Sequence, residues 1–145
     1  MIFAGEILLE IPIKIQVSFF LKEFKKIVTQ ERGLDIVDRK KNLESLLQLG
    51  LTKKNCEHEI LNLSVSDYCA GPKPDKDRSG KIWEFSKTIG GHEIYIKLKI
   101  AQINSVKIAK CISFHVAQHP IAKPFRSKKI KEKGGDDYER SMPKL

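Results

Sequence analysis

Four side chains in the second half of the chain have the chemistry needed to cleave a phosphodiester bond without a metal: Glu84, Tyr95, Lys97 and His115. Histidine exchanges a proton near neutral pH, so it can deprotonate a ribose 2′-hydroxyl or protonate the leaving 5′-oxygen. Glutamate is a second candidate base if nearby cations keep it ionised, and tyrosine and lysine can position and neutralise a phosphate. The sequence leaves open which residue is the acid and which is the base.

Each of these residues, taken alone, also has an ordinary explanation. A single histidine near the end of a strand is more often a surface residue than a catalyst, and alternating lysine and tyrosine residues are common on a solvated sheet face. The catalytic hypothesis therefore depends on the strands bringing these side chains to one surface.

Three segments alternate between apolar and polar residues at the period of a β-strand: residues 81–87, 91–101 and 107–117. They predict a three-stranded antiparallel meander with a turn at Gly90 and Gly91. The residues expected to face the core are Trp83, Phe85, Ile94, Ile96, Leu98, Ile100, Ile108, Ile112, Phe114 and Val116. The opposite, water-facing surface would carry Glu84, Ser86, Tyr95, Lys97, Ala109, Cys111, Ser113 and His115.

The first half of the chain has mainly helical periodicity. We predict a helix over residues 17–28, a short strand at 34–37, a second helix from about residue 42 that Gly50 ends, and a third helix with Thr52 as its N-cap. Residues 70–80 are rich in Gly, Pro, Asp and Lys and predict a loop. The helical residues expected to face inward are Phe20, Phe24, Ile27, Val28, Leu43, Leu46, Leu47, Cys56, Ile60 and Leu61.

These patterns predict an α+β fold, with two to three N-terminal helices packed on a small antiparallel sheet that includes the C-terminal meander. A length of 145 residues suits one domain. We place that domain at residues 17–126, with an N-terminal extension at 1–16 and a basic, mobile tail at 127–145. Charges interrupt the apolar residues among the first 20, which argues against a signal peptide, a membrane span and a membrane role.

The positive charge is concentrated in the second half of the chain. Residues 1–72 contain ten Lys and Arg and ten Asp and Glu, whereas residues 73–145 contain seventeen and eight, so the net charge of +9 lies entirely in the second half. This asymmetry favours a polyanion such as RNA, or an acidic protein, as partner, although a basic surface can also serve solubility alone. The candidate RNA-binding residues are Lys73, Arg78, Lys81, Lys99 and Arg126.

The cysteine pattern favours reduced thiols and hence a cytoplasmic location. Cys56, Cys69 and Cys111 are odd in number and lack the spacing of a zinc finger or a disulfide framework. We interpret Cys111 as a small sheet residue. We expect neither a metal nor a cofactor.

Several segments resemble, in order and spacing, one family of bacterial proteins. They are FLKEFKKIVTQERGLDIVDRKKNLESLLQLGLTKKNCEHEILNLSVSD (20–67), KIWEF (81–85), EIYIKLKI (93–100) and CISFH (111–115). Over residues 17–118 they resemble the MqsR-type toxins of toxin-antitoxin systems, which belong to the RelE-like superfamily of messenger-RNA interferases. The resemblance implies an α+β, sequence-selective endoribonuclease that acts on mRNA and is held inactive by a cognate antitoxin. Together with the shared face of the four side chains, it leads to the hypothesis of a metal-independent enzyme that leaves a 2′,3′-cyclic phosphate. A homodimer is left open.

The resemblance is incomplete at the site. Tyr95 falls on the strand tyrosine of the family, but Glu84 stands where the family can have Gln and His115 where it can have Lys. The family lysine that follows the S-D-(F/Y) motif is missing, because Cys69 and Ala70 occupy that region. Lys73 and Arg78 are the candidates to replace it.

Two other classes of function remain open. The chain could be a non-catalytic RNA-binding or partner-binding module with the same fold, a reading that the missing lysine favours. A DNA-binding regulator has less support, because the helical half lacks a helix-turn-helix pattern with a basic recognition helix.

Overall fold

The computed structural model describes residues 11–30 and 33–126. In that part the α-helices are α1 (Ile13–Gln30), α2 (Lys40–Leu49) and α3 (Lys53–Leu61), and a 3-10 turn follows at Val65–Asp67. The strands are β1 (Leu34–Ile36), β2 (Tyr68–Pro74), β3 (Lys81–Ile89), β4 (His92–Ile103) and β5 (Val106–Val116). The α+β class is therefore confirmed. Residues 1–10 of the predicted extension and the predicted tail at 127–145 lie outside the described residues.

The sheet is mixed rather than antiparallel throughout. Its strand order is β1-β5-β4-β3-β2. The predicted meander is present, because β3 pairs with β4 and β4 with β5 in antiparallel fashion, and β2 extends it on one side. On the other side β1 pairs with β5 in parallel, with Asp35 opposite Lys110.

Helix α1 forms the core together with one face of the sheet, which we call the inner face. Its buried residues recur every three or four positions and present one apolar stripe to the sheet: Val17, Phe20, Leu21, Phe24, Ile27 and Val28. The Phe20 ring stacks on Trp83 with 5.0 Å between centroids. The helix begins at Ile13, so its first turn lies within the segment predicted as an extension.

Helix α2 packs against the sheet through polar residues, which contradicts the predicted apolar face. Leu46 is buried as expected, but Leu43 and Leu47 are exposed, and Asn42 and Ser45 are buried instead. The predicted caps are confirmed. Gly50 ends α2 in the left-handed conformation, and the Thr52 hydroxyl accepts a hydrogen bond from the Asn55 amide at the start of α3.

Helix α2 has a polar face because it packs against the edge of β5. Strand β1 covers β5 only as far as Cys111, which leaves the following backbone groups without a strand partner. Asn42 donates to the carbonyls of Val37 and Ile112 and accepts from the Phe114 amide, with distances of 3.0, 3.1 and 3.0 Å. The Ser45 hydroxyl accepts from the Val116 amide at 3.1 Å. Helix α2 thus satisfies buried backbone groups that a leucine face would have left unpaired.

A bulge in β5 overturns part of the predicted alternation. Lys97 pairs with Ser113 but Leu98 pairs with Cys111, so Ile112 has no partner on β4. On the N-terminal side of the bulge, Ala109 and Cys111 belong to the core, whereas Ile108 and Ile112 were expected there. Beyond the bulge Phe114 is buried in the core as expected. The extra residue shifts the side-chain period by one position, which sequence alternation alone does not reveal.

The segment predicted as a loop begins as an edge strand. Tyr68–Pro74 pairs with β3 through an irregular register, with Ala70 opposite Glu84 and Lys73 opposite Ile82. Prolines are tolerated in this strand because it lies at the sheet edge, where a missing N–H need not break a ladder. Gly71 has a φ of +113°, and a Cβ atom there would lie 2.7 Å from the Ile82 carbonyl oxygen. A side chain cannot fit at this position.

The second face of the sheet, which we call the outer face, is less exposed to solvent than the alternation predicted. Ser86 and Ser113 are buried, Glu84 nearly so, and the Lys99 side chain is only 4 % exposed. The segment after β5 contributes to this burial, because Lys123 forms ion pairs with Asp67 and Glu93. None of the described helices is both long and apolar enough to cross a bilayer.

Candidate functional site

The strand register brings the predicted catalytic side chains together on the outer face. Glu84 on β3 is the direct partner of Lys97 on β4, and Tyr95 on β4 is the direct partner of His115 on β5. Directly opposed residues of antiparallel strands point to the same face, with Cβ atoms about 5 Å apart. His115 follows the bulge at Ile112, and the His115 side chain shares the outer face with Tyr95 and Lys97.

Tyr95 is held as a neutral phenol. Burial and its hydrogen bond to the Glu84 carboxylate raise the pKa of Tyr95 well above its ordinary value. Glu84 in turn forms an ion pair with Lys73, with 3.0 Å between Nζ and Oε2. Tyr95 is therefore a hydrogen-bond donor oriented by a carboxylate, and it cannot serve as a base near neutral pH.

His115 has one ring nitrogen occupied and one available. Its Nδ1 lies 3.1 Å from the carbonyl oxygen of Val116, and because a carbonyl can only accept, Nδ1 must carry the proton of this bond. In the neutral ring Nε2 then carries the lone pair. The Tyr95 and His115 rings lie 5.5 Å apart between centroids, at an angle of 56°. The pair thus combines a potential proton acceptor with a neutral proton donor.

Two cations flank this pair. The Lys97 ammonium lies 5.6 Å from the centroid of the Tyr95 ring. Arg39, at the N-cap of α2, extends over the outer face, and its guanidinium donates to the Ser113 hydroxyl at 3.1 Å. Arg39 was not predicted as a site residue. The available signal was the basic run of residues 39–41, which directly precedes the second predicted helix.

The outer face contains two adjoining depressions that share Arg39 and Lys97. The first, which we call the Arg78 cleft, has a volume of about 600 Å³, and its ionisable lining residues are Arg39, Lys73, Asp75, Lys76, Asp77, Arg78, Glu84, Lys97, Lys99 and Lys110. The second, the His115 pocket, has a volume of about 560 Å³, and its ionisable lining residues are Arg39, Lys40, Lys41, Tyr95, Lys97, His115 and His119. Basic residues outnumber acidic ones in both, so together they form a groove suited to a polyanion.

The predicted RNA-binding residues are distributed unevenly around this groove. Lys73 and Arg78 line the Arg78 cleft. Lys99 also lines it, but its ammonium is 2.7 Å from Asp75 Oδ2 and serves mainly to hold the β2–β3 turn. Lys81 is exposed and lines neither depression. Arg126 also lines neither, since it follows Phe125, whose ring stacks on the buried Tyr68 with 5.5 Å between centroids.

The region where the family has a lysine carries no cation of its own. Burial raises the pKa of the Cys69 thiol to about 12, so this side chain stays neutral. The nearby Lys123 is 7 % exposed and is committed to Asp67 and Glu93. Lys73, farther along β2, is instead the cation that reaches Glu84.

The cysteines are free thiols, and none lines the groove. Cys111 lies beside Cys56 in the core, where its hydrogen bond to the Cys56 sulfur and its burial raise the pKa of Cys111 well above its ordinary value. This agrees with its interpretation as a small sheet residue. Within residues 11–30 and 33–126, no group of three or more His, Cys, Asp or Glu side chains could hold a metal ion.

A scan of protein-family models and searches of curated proteins and solved structures give no match to this chain. The arrangement offers cations for a phosphate, a ring nitrogen that can accept a proton and a neutral phenol that can donate one.

Proposed function

We propose that this protein is a metal-independent endoribonuclease of the RelE-like, MqsR-type class, which acts as the toxin of a toxin-antitoxin system. The observation that carries the proposal is the pairing of Tyr95 with His115 in a groove lined by Arg39 and Lys97. The order of motifs along residues 17–118 supports the family assignment, and the basic groove supports RNA as the substrate.

In the proposed reaction the 2′-oxygen of a ribose attacks the adjacent phosphorus. His115 Nε2 accepts the 2′-hydroxyl proton as the O2′–P bond forms, and the P–O5′ bond breaks. The Tyr95 hydroxyl exchanges its hydrogen bond to Glu84 for one to the leaving 5′-oxygen and donates its proton there, and Arg39 and Lys97 stabilise the charge on the phosphate. The products are a 2′,3′-cyclic phosphate and a 5′-hydroxyl. Imidazolium and phenolate then return to their neutral forms by proton exchange through solvent.

Glu84 and Lys73 support this reaction without touching the phosphorus. The Glu84 carboxylate orients the Tyr95 hydroxyl, and the Lys73 ammonium balances its charge. In this scheme Glu84 is a positioning residue and not the second candidate base. Because the Glu84 carboxylate is buried and paired with Lys73, whereas His115 lines the His115 pocket, His115 is better placed to receive the substrate proton.

The test is RNA cleavage by the purified protein in excess EDTA. We expect cleavage by the wild type and a loss of at least about 100-fold in the double variant Tyr95→Phe, His115→Ala, because proton transfer by positioned side chains contributes about 10²–10⁴ in rate. His92→Ala is the control, since His92 is exposed at the start of β4, outside both depressions. Absent wild-type cleavage, or equal cleavage by the double variant, would refute the proposal.

The toxin role has its own test in cells. Expression of the wild type without a partner protein should arrest growth, and the double variant should not. A neighbouring reading frame that encodes the antitoxin should restore growth when the two are expressed together. Normal growth on expression of an active nuclease would contradict the toxin role while leaving the cleavage chemistry in place.

One observation favours a second candidate, a non-catalytic RNA-binding module on the same fold. The region of the missing family lysine holds neutral Cys69 and Ala70, while Lys73 is already paired with Glu84. Such a module would bind RNA in a salt-sensitive manner without breaking the strand. The cleavage assay separates the two candidates.

A further inference from the structure

The His115 pocket has two walls of different chemistry. Arg39, Lys40 and Lys41, at the start of α2, form a cationic wall. A second part of the lining comes from the segment after β5, and its residues are Ala117, Gln118, His119, Pro120 and Ile121. Tyr95 and His115 also line the pocket. One wall therefore suits a phosphate, whereas the other offers apolar and flat surfaces with one amide.

This division matches the two parts of a nucleotide. A phosphate needs cations, and a base needs a flat or apolar surface to stack on and a few hydrogen-bonding groups for its edge. His119 and Pro120 provide flat surfaces, Ile121 provides apolar contact, and the Gln118 amide provides one donor and one acceptor group. A volume of about 560 Å³ lies within the range of small-ligand sites.

The Arg78 cleft differs from the His115 pocket in that no histidine or aromatic side chain lines it. Its lining contains Val37, Ile82, Ile112 and Pro74 besides charged side chains, but no aromatic or imidazole ring. It is suited to the sugar-phosphate backbone rather than to a base. The two depressions therefore predict different contacts along one strand.

We infer that the His115 pocket is a nucleobase subsite, which selects single-stranded RNA by stacking one unpaired base against the segment of residues 117–121. The inference rests on the proposed RNA cleavage and adds to it the class of RNA and the place where a base is read. A duplex cannot use the pocket, because the faces of its bases are already stacked on one another. His119, Pro120 and Ile121 follow the part of the chain that resembles the toxin family, so this wall is a feature of the present chain.

The test uses 2′-O-methyl octanucleotides, which lack the attacking hydroxyl, with abasic sugars at every position or at every position except one central A, C, G or U. Fluorescence anisotropy measures their affinity for the full chain. We expect at least one base to strengthen binding by about fivefold or more, since stacking of one base on a protein side chain contributes about 1–3 kcal/mol. Both His119→Ala and Ile121→Ala should reduce this gain at least by half.

His92→Ala is the matched control, because it removes another exposed imidazole and should leave the gain unchanged. Binding of all five oligonucleotides within twofold of one another would overturn the subsite, as would a gain that persists in both pocket variants. Cleavage of unmodified RNA by the same protein tests the proposed function separately. Cleavage without a base-dependent gain refutes the subsite alone, whereas a gain without cleavage refutes the nuclease and leaves the subsite standing.

Discussion

At the scale of the residue, the chemical role of each ionisable group on the outer face is determined by its neighbours. Tyr95 stays protonated because it is partly buried and donates to Glu84. The Val116 carbonyl fixes the proton of His115 on Nδ1. The identities of Glu84, Tyr95, Lys97 and His115 could be read from the sequence, because alternation on neighbouring strands predicts a shared face. The contact of Arg39 could not, since it joins residues 74 positions apart. Lys73 was a candidate RNA-binding residue, but its ion pair with Glu84 depends on strand β2, which the sequence did not predict.

Asp75 illustrates how one of these contacts should depend on pH. Its hydrogen bond to Lys99 and the backbone amide of Asp77 lower the pKa of Asp75 from 3.8 to about 2. An acid whose pKa is lower in the folded state adds stability above its unfolded pKa and loses that contribution as the pH falls through the folded value. Asp75→Asn should therefore destabilise the protein by a constant amount above about pH 5. The difference should shrink between about pH 4 and pH 2.

Urea unfolding of both proteins across this pH range measures the effect. Asp77→Asn, an exposed change in the same turn, is the control and should show no such trend. A difference between wild type and Asp75→Asn that stays constant down to pH 2 would contradict the assigned ion pair.

At the scale of the element, the sequence predicted the helices and strands that form from local patterns. It missed the features that depend on contacts with distant segments. The periodicity of α1, the caps at Gly50 and Thr52, and the alternation of β4 were sufficient to predict those elements. Strand β2 was missed because Gly71, Pro72 and Pro74 are typical of loops, and only pairing with β3 makes the segment a strand. The polar face of α2 was missed because it satisfies backbone groups of β5, a segment distant in the chain. The bulge in β5 was missed because it is a feature of the pairing with β4.

Asn42 is the residue on which the junction of α2 with β5 depends. Asn42→Ala leaves the Phe114 amide and the Ile112 carbonyl without their partner in a buried region, so we expect a loss of about 2–3 kcal/mol in the free energy of unfolding. Gln48→Ala removes an exposed amide from the same helix and should change stability by less than about 0.5 kcal/mol. Chemical denaturation measures both, and equal effects would contradict the role of Asn42.

At the scale of the whole molecule, the groove results from an asymmetry between the two sheet faces. Helix α1 covers the inner face, whereas the outer face is bordered by α2, by the β2–β3 turn and by the segment after β5. The sequence indicated the excess of positive charge in the second half. It did not indicate that the basic run of residues 39–41, in the first half, would complete the groove. Both halves of the chain therefore contribute to the proposed RNA contact.

Arg39 provides the test of that long-range assembly. Arg39→Ala should weaken RNA binding by about tenfold, because it removes one charge-assisted contact. It should also reduce the slope of log K against log salt by about 0.7, the value for one phosphate contact on a single strand. Lys54→Ala is the matched control, since Lys54 is 89 % exposed on α3 and carries the same charge. If both variants lower the affinity equally, the effect is one of net charge and the groove is not the binding site.

The central claim is that the outer face breaks RNA by attack of the 2′-hydroxyl, with His115 as the base. Mass spectrometry of the cleavage products in excess EDTA tests it most directly. We predict fragments that end in a 2′,3′-cyclic phosphate, paired with fragments that begin with a 5′-hydroxyl, from the wild type and not from His115→Ala. Fragments with a 3′-hydroxyl and a 5′-phosphate, or unchanged products from His115→Ala, would contradict the claim.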